Sequence, residues 1–144
     1  MKQALLILLV VFTMTACGNK KTDAVDTTAV TSPENTEIVS VAATDPSTVY
    51  VYYFHGKQRC KTCIAVQNHA KEAIDQMYGG NQNVQFMEVL IEDAGYKELV
   101  EKYGVSWSTL IVAKGGDYID ITQNSFANPE GVKELLKAEV DRRL

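Results

Sequence analysis

The sequence predicts an α/β domain in the order β-α-β-α-β-β-α, built on a mixed four-stranded sheet with helices on both faces. Three features predict it. A buried-strand pattern leads directly into a long segment of helical periodicity. A second strand and helix repeat that alternation. Two further strand patterns then flank a Gly-Gly turn and are followed by a capped terminal helix.

The first strand is "VYVYYF" (Val49 to Phe54), β-branched and aromatic throughout, as a strand buried on both faces requires. From Cys60 to about Tyr78 the period changes to that of a helix. Cys63, Val66, Ala70, Ala73, Ile74 and Met77 fall on one apolar face, and Gly79-Gly80 ends the run. "VQFMEVLI" (Val84 to Ile91) is the second strand. Tyr96, Leu99, Val100 and Tyr103 mark a shorter helix closed by Gly104. "TLIVAK" and "YIDIT" flank Gly115-Gly116-Asp117, a hairpin signal. Asn128 is placed to cap a last helix with Pro129 at its first position, and Val132, Leu135, Leu136 and Val140 form its inner face. The β-α-β unit requires a right-handed crossover between parallel strands, and the hairpin adds an antiparallel one.

This domain fills residues 48–144 of a chain of 144, and no internal repeat is visible. The chain is 46% apolar and 22% charged with a net charge of −4, an ordinary globular balance with no global attraction for nucleic acid. Residues 1–16 read as a signal peptide: Lys2, an apolar run from Ala4 to Thr13, then Met14-Thr15-Ala16 before Cys17. The run is shorter than the roughly 20 residues that span a bilayer. Its end resembles the lipobox of bacterial lipoproteins, with Met14 in place of the usual Leu. That resemblance implies lipidation of Cys17 and an address in the periplasm or cell envelope, where disulfides persist. Residues 17–47 carry no aromatic side chain and too little bulk for a core, so they read as the lipidated cysteine and a flexible tether. Such a tether spans roughly 30 Å on average. "EIVSVAA" (Glu37 to Ala43) is the one part of it with strand character, and could dock on the domain.

With Cys17 lipidated, Cys60 and Cys63 have only each other. They stand where the first strand passes into the first helix, in "HGKQRCKTC". Backbone N–H groups and the helix dipole favour a thiolate at such a position. Lys57, Arg59 and Lys61 crowd the same loop, and no acid occurs between Asp45 and Glu72, so a thiolate-stabilising field is expected. Cys60, at the open end, should attack. Cys63, on the apolar stripe, should be buried and resolve the mixed disulfide. A purely structural disulfide here would close a tiny loop and remove little chain entropy. Tetrahedral zinc needs four ligands. His55 and His69 are the only histidines, and His69 lies six residues beyond Cys63, turned away. A two-thiolate site for Cu(I) or As(III) stays open as an alternative.

The Cys-x-x-Cys at the first strand-to-helix junction, with this element order, resembles the thioredoxin fold over the whole domain. It matches the seven-element core seen in glutaredoxins. "YGVSWSTL" (Tyr103 to Leu110) resembles the thioredoxin stretch that carries a cis-proline, with Ser108 where the proline would stand. A trans bond is expected there, because a cis bond at a non-proline costs about 2.5–4 kcal/mol. The resemblance makes Trp107, Ser108 and Thr109 the substrate-facing loop, with Trp107 a candidate to lie over the disulfide. The buried acid that thioredoxins carry six residues before the first cysteine would be Phe54. His55 beside it is turned to the other side of the strand, which argues against it as the proton carrier. "VYYFHGKQRCKTC" further resembles a thioredoxin-like family of Bacteroides-type bacteria, named for the nitrophenyl compound nitroreductase subunit ArsF and sometimes found with arsenic-resistance genes.

These readings converge on a membrane-anchored thiol–disulfide oxidoreductase outside the cytoplasm, monomeric and acting without a cofactor. Cys60 and Cys63 form its redox pair, and its substrates are protein or small-molecule disulfides and thiols. The family resemblance adds a membrane thiol electron donor as a partner. The alternatives are a dithiol binding protein for a soft metal or metalloid, and a redox-inactive partner-binding module.

Overall fold

A computed structural model describes residues 45–144. Cys17, the signal peptide, the tether as far as residue 44 and the "EIVSVAA" segment lie outside the described residues. Strand β1 (Val49–His55) leads through a short loop into α1 (Lys61–Tyr78). Strand β2 (Val84–Leu90) is followed by a single 3₁₀ turn and α2 (Lys97–Tyr103). Strands β3 (Thr109–Lys114) and β4 (Asp117–Asp120) form the hairpin. A short helix α3 (Thr122–Ala127), another 3₁₀ turn and α4 (Val132–Asp141) complete the domain.

The sheet runs β2-β1-β3-β4, with β1 parallel to β2 and antiparallel to β3. Every residue of central β1 is buried, and its alternation feeds two cores. Val49, Val51 and Tyr53 pack with Val66, Ala70 and Ile74 of α1 and with Val132, Leu136 and Val140 of α4. Tyr50, Tyr52 and Phe54 pack on the other side with Leu99 of α2, Val105 and Ile111. Helices therefore cover both faces, as a sheet with a buried parallel pair requires.

The turn residues explain the joints. Gly104 closes α2 at φ 62°, and Gly115 opens the hairpin at φ 57°, the left-handed region that only glycine enters without strain. Gly79 ends α1 differently from the expected left-handed cap. It keeps helical dihedrals, and its requirement is steric, since a Cβ there would sit 2.4 Å from the Asp75 carbonyl oxygen.

Two other expectations are corrected near the C-terminus. The "YIDIT" strand stops at Asp120, and α3 was not foreseen. Apolar alternation through Ile119 and Ile121 suggests that the strand continues, but side-chain oxygens turn the chain instead. The Asp120 carboxylate accepts from the Thr122 N–H at 2.8 Å, and the Thr122 hydroxyl accepts from the Leu110 N–H at 2.9 Å. Such local bonds compete directly with a strand ladder. Asn128 and Pro129 do begin a helical segment, with the Asn128 side chain accepting from the Gly131 N–H, but its first turn is 3₁₀ and the α-helix starts at Val132.

A tie between the ends of α1 and α4 locks the larger core. The Tyr78 hydroxyl donates to Asp141 at 2.6 Å. Partial burial, then the bond to Asp141, push the Tyr78 phenol up to about 12. Lys137, then Tyr78, hold the Asp141 carboxyl below its ordinary value. A depressed carboxylate contributes stability above its unfolded pKa and loses it as pH falls through the folded one. Tyr78→Phe should therefore lower the urea midpoint near neutral pH. The gap from the parent should close as the pH drops below about 4; urea titrations from pH 6 to pH 2.5 measure it.

Candidate functional site

The site is made where β1 hands the chain to α1. Gly56 follows the strand and lets the loop cross the Glu92 carboxylate, which a Cβ would approach to 3.2 Å. Cys60 adopts an extended conformation and is the N-cap of α1, its Sγ accepting from the Cys63 N–H at 2.9 Å. A sulfur thus fills the role usually taken by a Ser or Asp oxygen, satisfying one of the helix's free donors. No acidic side chain occupies the first turn of α1 to compete with it.

Cys60 and Cys63 are joined as a disulfide, with their Cα atoms 5.0 Å apart. Cys60 is exposed, as expected for the attacking sulfur. Cys63 is half-buried rather than buried, which corrects the sequence expectation. Full burial along α1 begins only at Val66, one turn further on.

Below the disulfide lies a group of side chains that the sequence alone did not assemble. The buried Tyr53 hydroxyl donates to the Cys63 carbonyl oxygen at 2.7 Å. Burial raises the phenol's pKa, while the neighbouring Ser108 hydroxyl and Arg59 guanidinium act on it in the opposite direction. The phenol therefore remains a proton donor, with Ser108 at hand from the loop before β3. One hydroxyl thus adjoins both the Ser108 loop and the Cys-x-x-Cys helix.

His55 lies on the Tyr53 side of β1, its ring stacked on that of Tyr53 at 6.1 Å. Alternation does turn it away from Phe54, but the side it turns to is the one that α1 covers. Its Nε2 meets a Glu88 carboxylate oxygen at 2.9 Å, and its Nδ1 lies 2.9 Å from the Gly56 carbonyl oxygen. Arg59 approaches the same Glu88 oxygen at 3.5 Å and lies over the Tyr53 ring at 5.9 Å. Its Nε and Nη2 are buried without a hydrogen-bond partner.

The basic loop is thus not free of acids in space. Glu88 arrives from β2, in register with Tyr53, and Glu92 accepts from the Lys57 backbone N–H at 3.3 Å. Lys57 and Lys61 are exposed, and only Arg59 among the three expected thiolate stabilisers is partly enclosed. Glu88 had left a trace in the sequence. It shares a strand face with Val84 and Phe86, both of which pack in the core, so it is a carboxylate at an inward-facing position.

The substrate-facing loop divides. Thr109 is buried, with its hydroxyl donating to the Trp107 carbonyl at 3.0 Å. Ser108 faces Tyr53. Trp107 is 69% exposed. It lines a cleft of about 530 Å³ with Asp120, Thr122, Gln123 and Phe126, a lining that includes neither cysteine. Among the described residues, no three His, Cys, Asp or Glu side chains gather to hold a metal ion. None of the described helices is long and apolar enough to cross a membrane.

The chain is similar in fold to human ERp44, with a TM-score of 0.50 and 17% identity, covering 75% of this chain and 30% of that one. Thioredoxin O2 of Arabidopsis thaliana in its oxidised state is 26% identical, with a TM-score of 0.47, covering 62% of this chain and 76% of the other. Fasciola hepatica thioredoxin is 16% identical, with a TM-score of 0.45 and coverage of 65% and 82%. Searches against protein families and curated proteins find no match. With the strand order and the helices on both faces, the fold is thioredoxin-like.

The Tyr53 contact has a measurable weight. Tyr53→Phe removes one partly buried hydrogen bond at the start of α1 and should lower stability by about 0.5–1.5 kcal/mol. Urea denaturation of the oxidised protein checks this.

Proposed function

We infer that the protein is a thiol–disulfide oxidoreductase whose redox couple is Cys60–Cys63. One observation carries the reading: an exposed sulfur caps the first turn of an 18-residue helix and is bonded to a second, more enclosed sulfur three residues on. Once the bond opens, a Cys60 thiolate would remain at the cap, a stronger acceptor than a neutral sulfur and favoured by the dipole. That makes Cys60 the better leaving group and the exposed attacker, with Cys63 as the resolving thiol.

The exchange balances within the sulfurs. Cys60 thiolate attacks a substrate disulfide, breaks its S–S bond and releases one substrate thiolate. Cys63, losing its proton, attacks the Cys60 sulfur, releases the second substrate thiolate and forms the Cys60–Cys63 bond. Two electrons pass to the substrate; run backwards, the same steps oxidise a dithiol. A further thiol compound or protein dithiol must reset the couple in either direction. The Ser108 loop and the Trp107 cleft support protein substrates, since an exposed indole and Phe126 offer an apolar rest beside an extended chain.

In glutathione buffers of set potential, alkylation should titrate two thiols together with one two-electron midpoint. Cys60→Ser should reduce exchange with insulin to background. Cys63→Ser should accumulate a mixed disulfide at Cys60. Stoichiometric capture of As(III) or Cu(I) by a dithiol that does not exchange would overturn the reading in favour of a binding protein.

The lipobox-like "MTAC" and the apolar run before it support an anchor through Cys17 that holds this domain outside the cytoplasm. Cells fed labelled palmitate should incorporate it into the parent protein and not into Cys17→Ser, read by gel autoradiography.

A further inference from the structure

The oxidoreductase reading expects positive charge to stabilise the Cys60 thiolate, yet the most enclosed cation of the loop is not unopposed. Glu88 Oε1 lies 2.9 Å from His55 Nε2 and 3.5 Å from Arg59 Nη1. One carboxylate oxygen thereby meets both the His55 ring and the Arg59 guanidinium. Arg59 is the residue before Cys60, and the Tyr53 ring beneath it ends in the hydroxyl that holds Cys63. Glu88 and Arg59 both act on that hydroxyl, in opposite directions. The carboxylate is thereby paired with the residue that directly precedes Cys60.

We propose that Glu88 is a positioning residue that sets the redox poise of Cys60–Cys63, acting as a counter-charge that cancels part of the field of Arg59. The proposal rests on the oxidoreductase reading and adds to it the determinant of the couple's potential. In the disulfide the sulfurs are neutral, and Glu88 is without effect on them. Reduction by two glutathione thiols opens the S–S bond, yields one glutathione disulfide and leaves Cys60 as thiolate with Cys63 protonated, one proton going to solvent. Only this reduced state carries a charge for Glu88 to repel. Removing the carboxylate's charge should therefore stabilise the reduced state and make the disulfide more oxidising.

Glu88 suits the part for a second reason. Its side chain is 44% exposed, so a neutral replacement leaves no buried hole, and the effect read is one of charge rather than packing. Arg59 has the complementary position: it is the cation whose loss should move the couple the other way.

The test is the midpoint of the full-length protein in glutathione buffers at pH 7, by alkylation and mass shift, for the parent, Glu88→Gln, Arg59→Gln and the double variant. Glu88→Gln should raise the equilibrium constant for reduction three- to tenfold, about 15–30 mV more positive at roughly 30 mV per tenfold for two electrons. Arg59→Gln should shift it in the opposite direction, and the double variant should fall between the two. Thiolate absorbance at 240 nm should show Cys60 ionising at lower pH in Glu88→Gln. A change under twofold in Glu88→Gln, or a shift to more negative potential, overturns the proposal while the parent's reversible midpoint leaves the oxidoreductase reading standing. A parent without a reversible midpoint overturns both.

Discussion

Everything at the site depends on how α1 begins. A helix of this length presents unpaired N–H groups at its start, and the sequence offers no Ser, Thr, Asp or Asn at the capping position. The sulfur of Cys60 takes that place, so the group that closes the helix is also one half of the disulfide. Capping and reactivity are then one interaction. As the sulfur gains negative charge it becomes a better cap, and the helix N-terminus draws the same benefit from the charge. Tyr53 holds the other side of the turn by its bond to the Cys63 carbonyl. With Cys60 capping the first turn and Tyr53 bonded to its Cys63 carbonyl, the two sulfurs are presented by the start of α1 rather than by a free loop.

The central strand explains why so few residues suffice. Its Tyr53 and His55 point towards α1, while Phe54 points into the opposite core with Tyr52 and Tyr103. A charged or acidic group at Phe54 would have to be buried among aromatic rings, which costs several kcal/mol unless it is paired. The polar group instead enters from the neighbouring strand. Glu88, in register with Tyr53, reaches His55 and Arg59 from an edge that water still touches. The carboxylate, 44% exposed, avoids most of the burial penalty while it pairs with Arg59 beside Cys60.

The strands, the long helix and the hairpin were legible because each rests on a periodicity local to the sequence. The β1 run, the apolar stripe of α1 and the Gly-Gly turn each specify their own geometry. Two kinds of feature were not legible. The first depends on competition between nearby bonds, as when the Asp120 and Thr122 side chains capture N–H groups and convert an apparently continuing strand into α3. The second depends on strand pairing. Nothing between Asp45 and Glu72 shows an acid near the cysteine loop, because Glu88 reaches His55 and Arg59 only once β1 and β2 are in register. Cys63 was placed too deep for a related reason. A helical stripe shows which way a side chain faces, but not where the sheet beneath it ends.

The exposed indole of Trp107 belongs to a second surface feature. It stands in the loop that joins Ser108 to Tyr53 on one side, and it lines the cleft with Phe126 of α3 on the other. A tryptophan that is 69% exposed adds little to the stability of this domain. The helix that supplies Phe126 exists because β4 is cut short after Asp120. The same local bonds that end the strand therefore shape the wall of the cleft. A small thiol needs no such wall to approach an exposed sulfur. An extended polypeptide does, because its backbone must be held while one of its sulfurs meets Cys60. The oxidoreductase reading proposed above therefore fits a protein substrate, with the aromatic cleft supplying grip and the helix cap supplying chemistry.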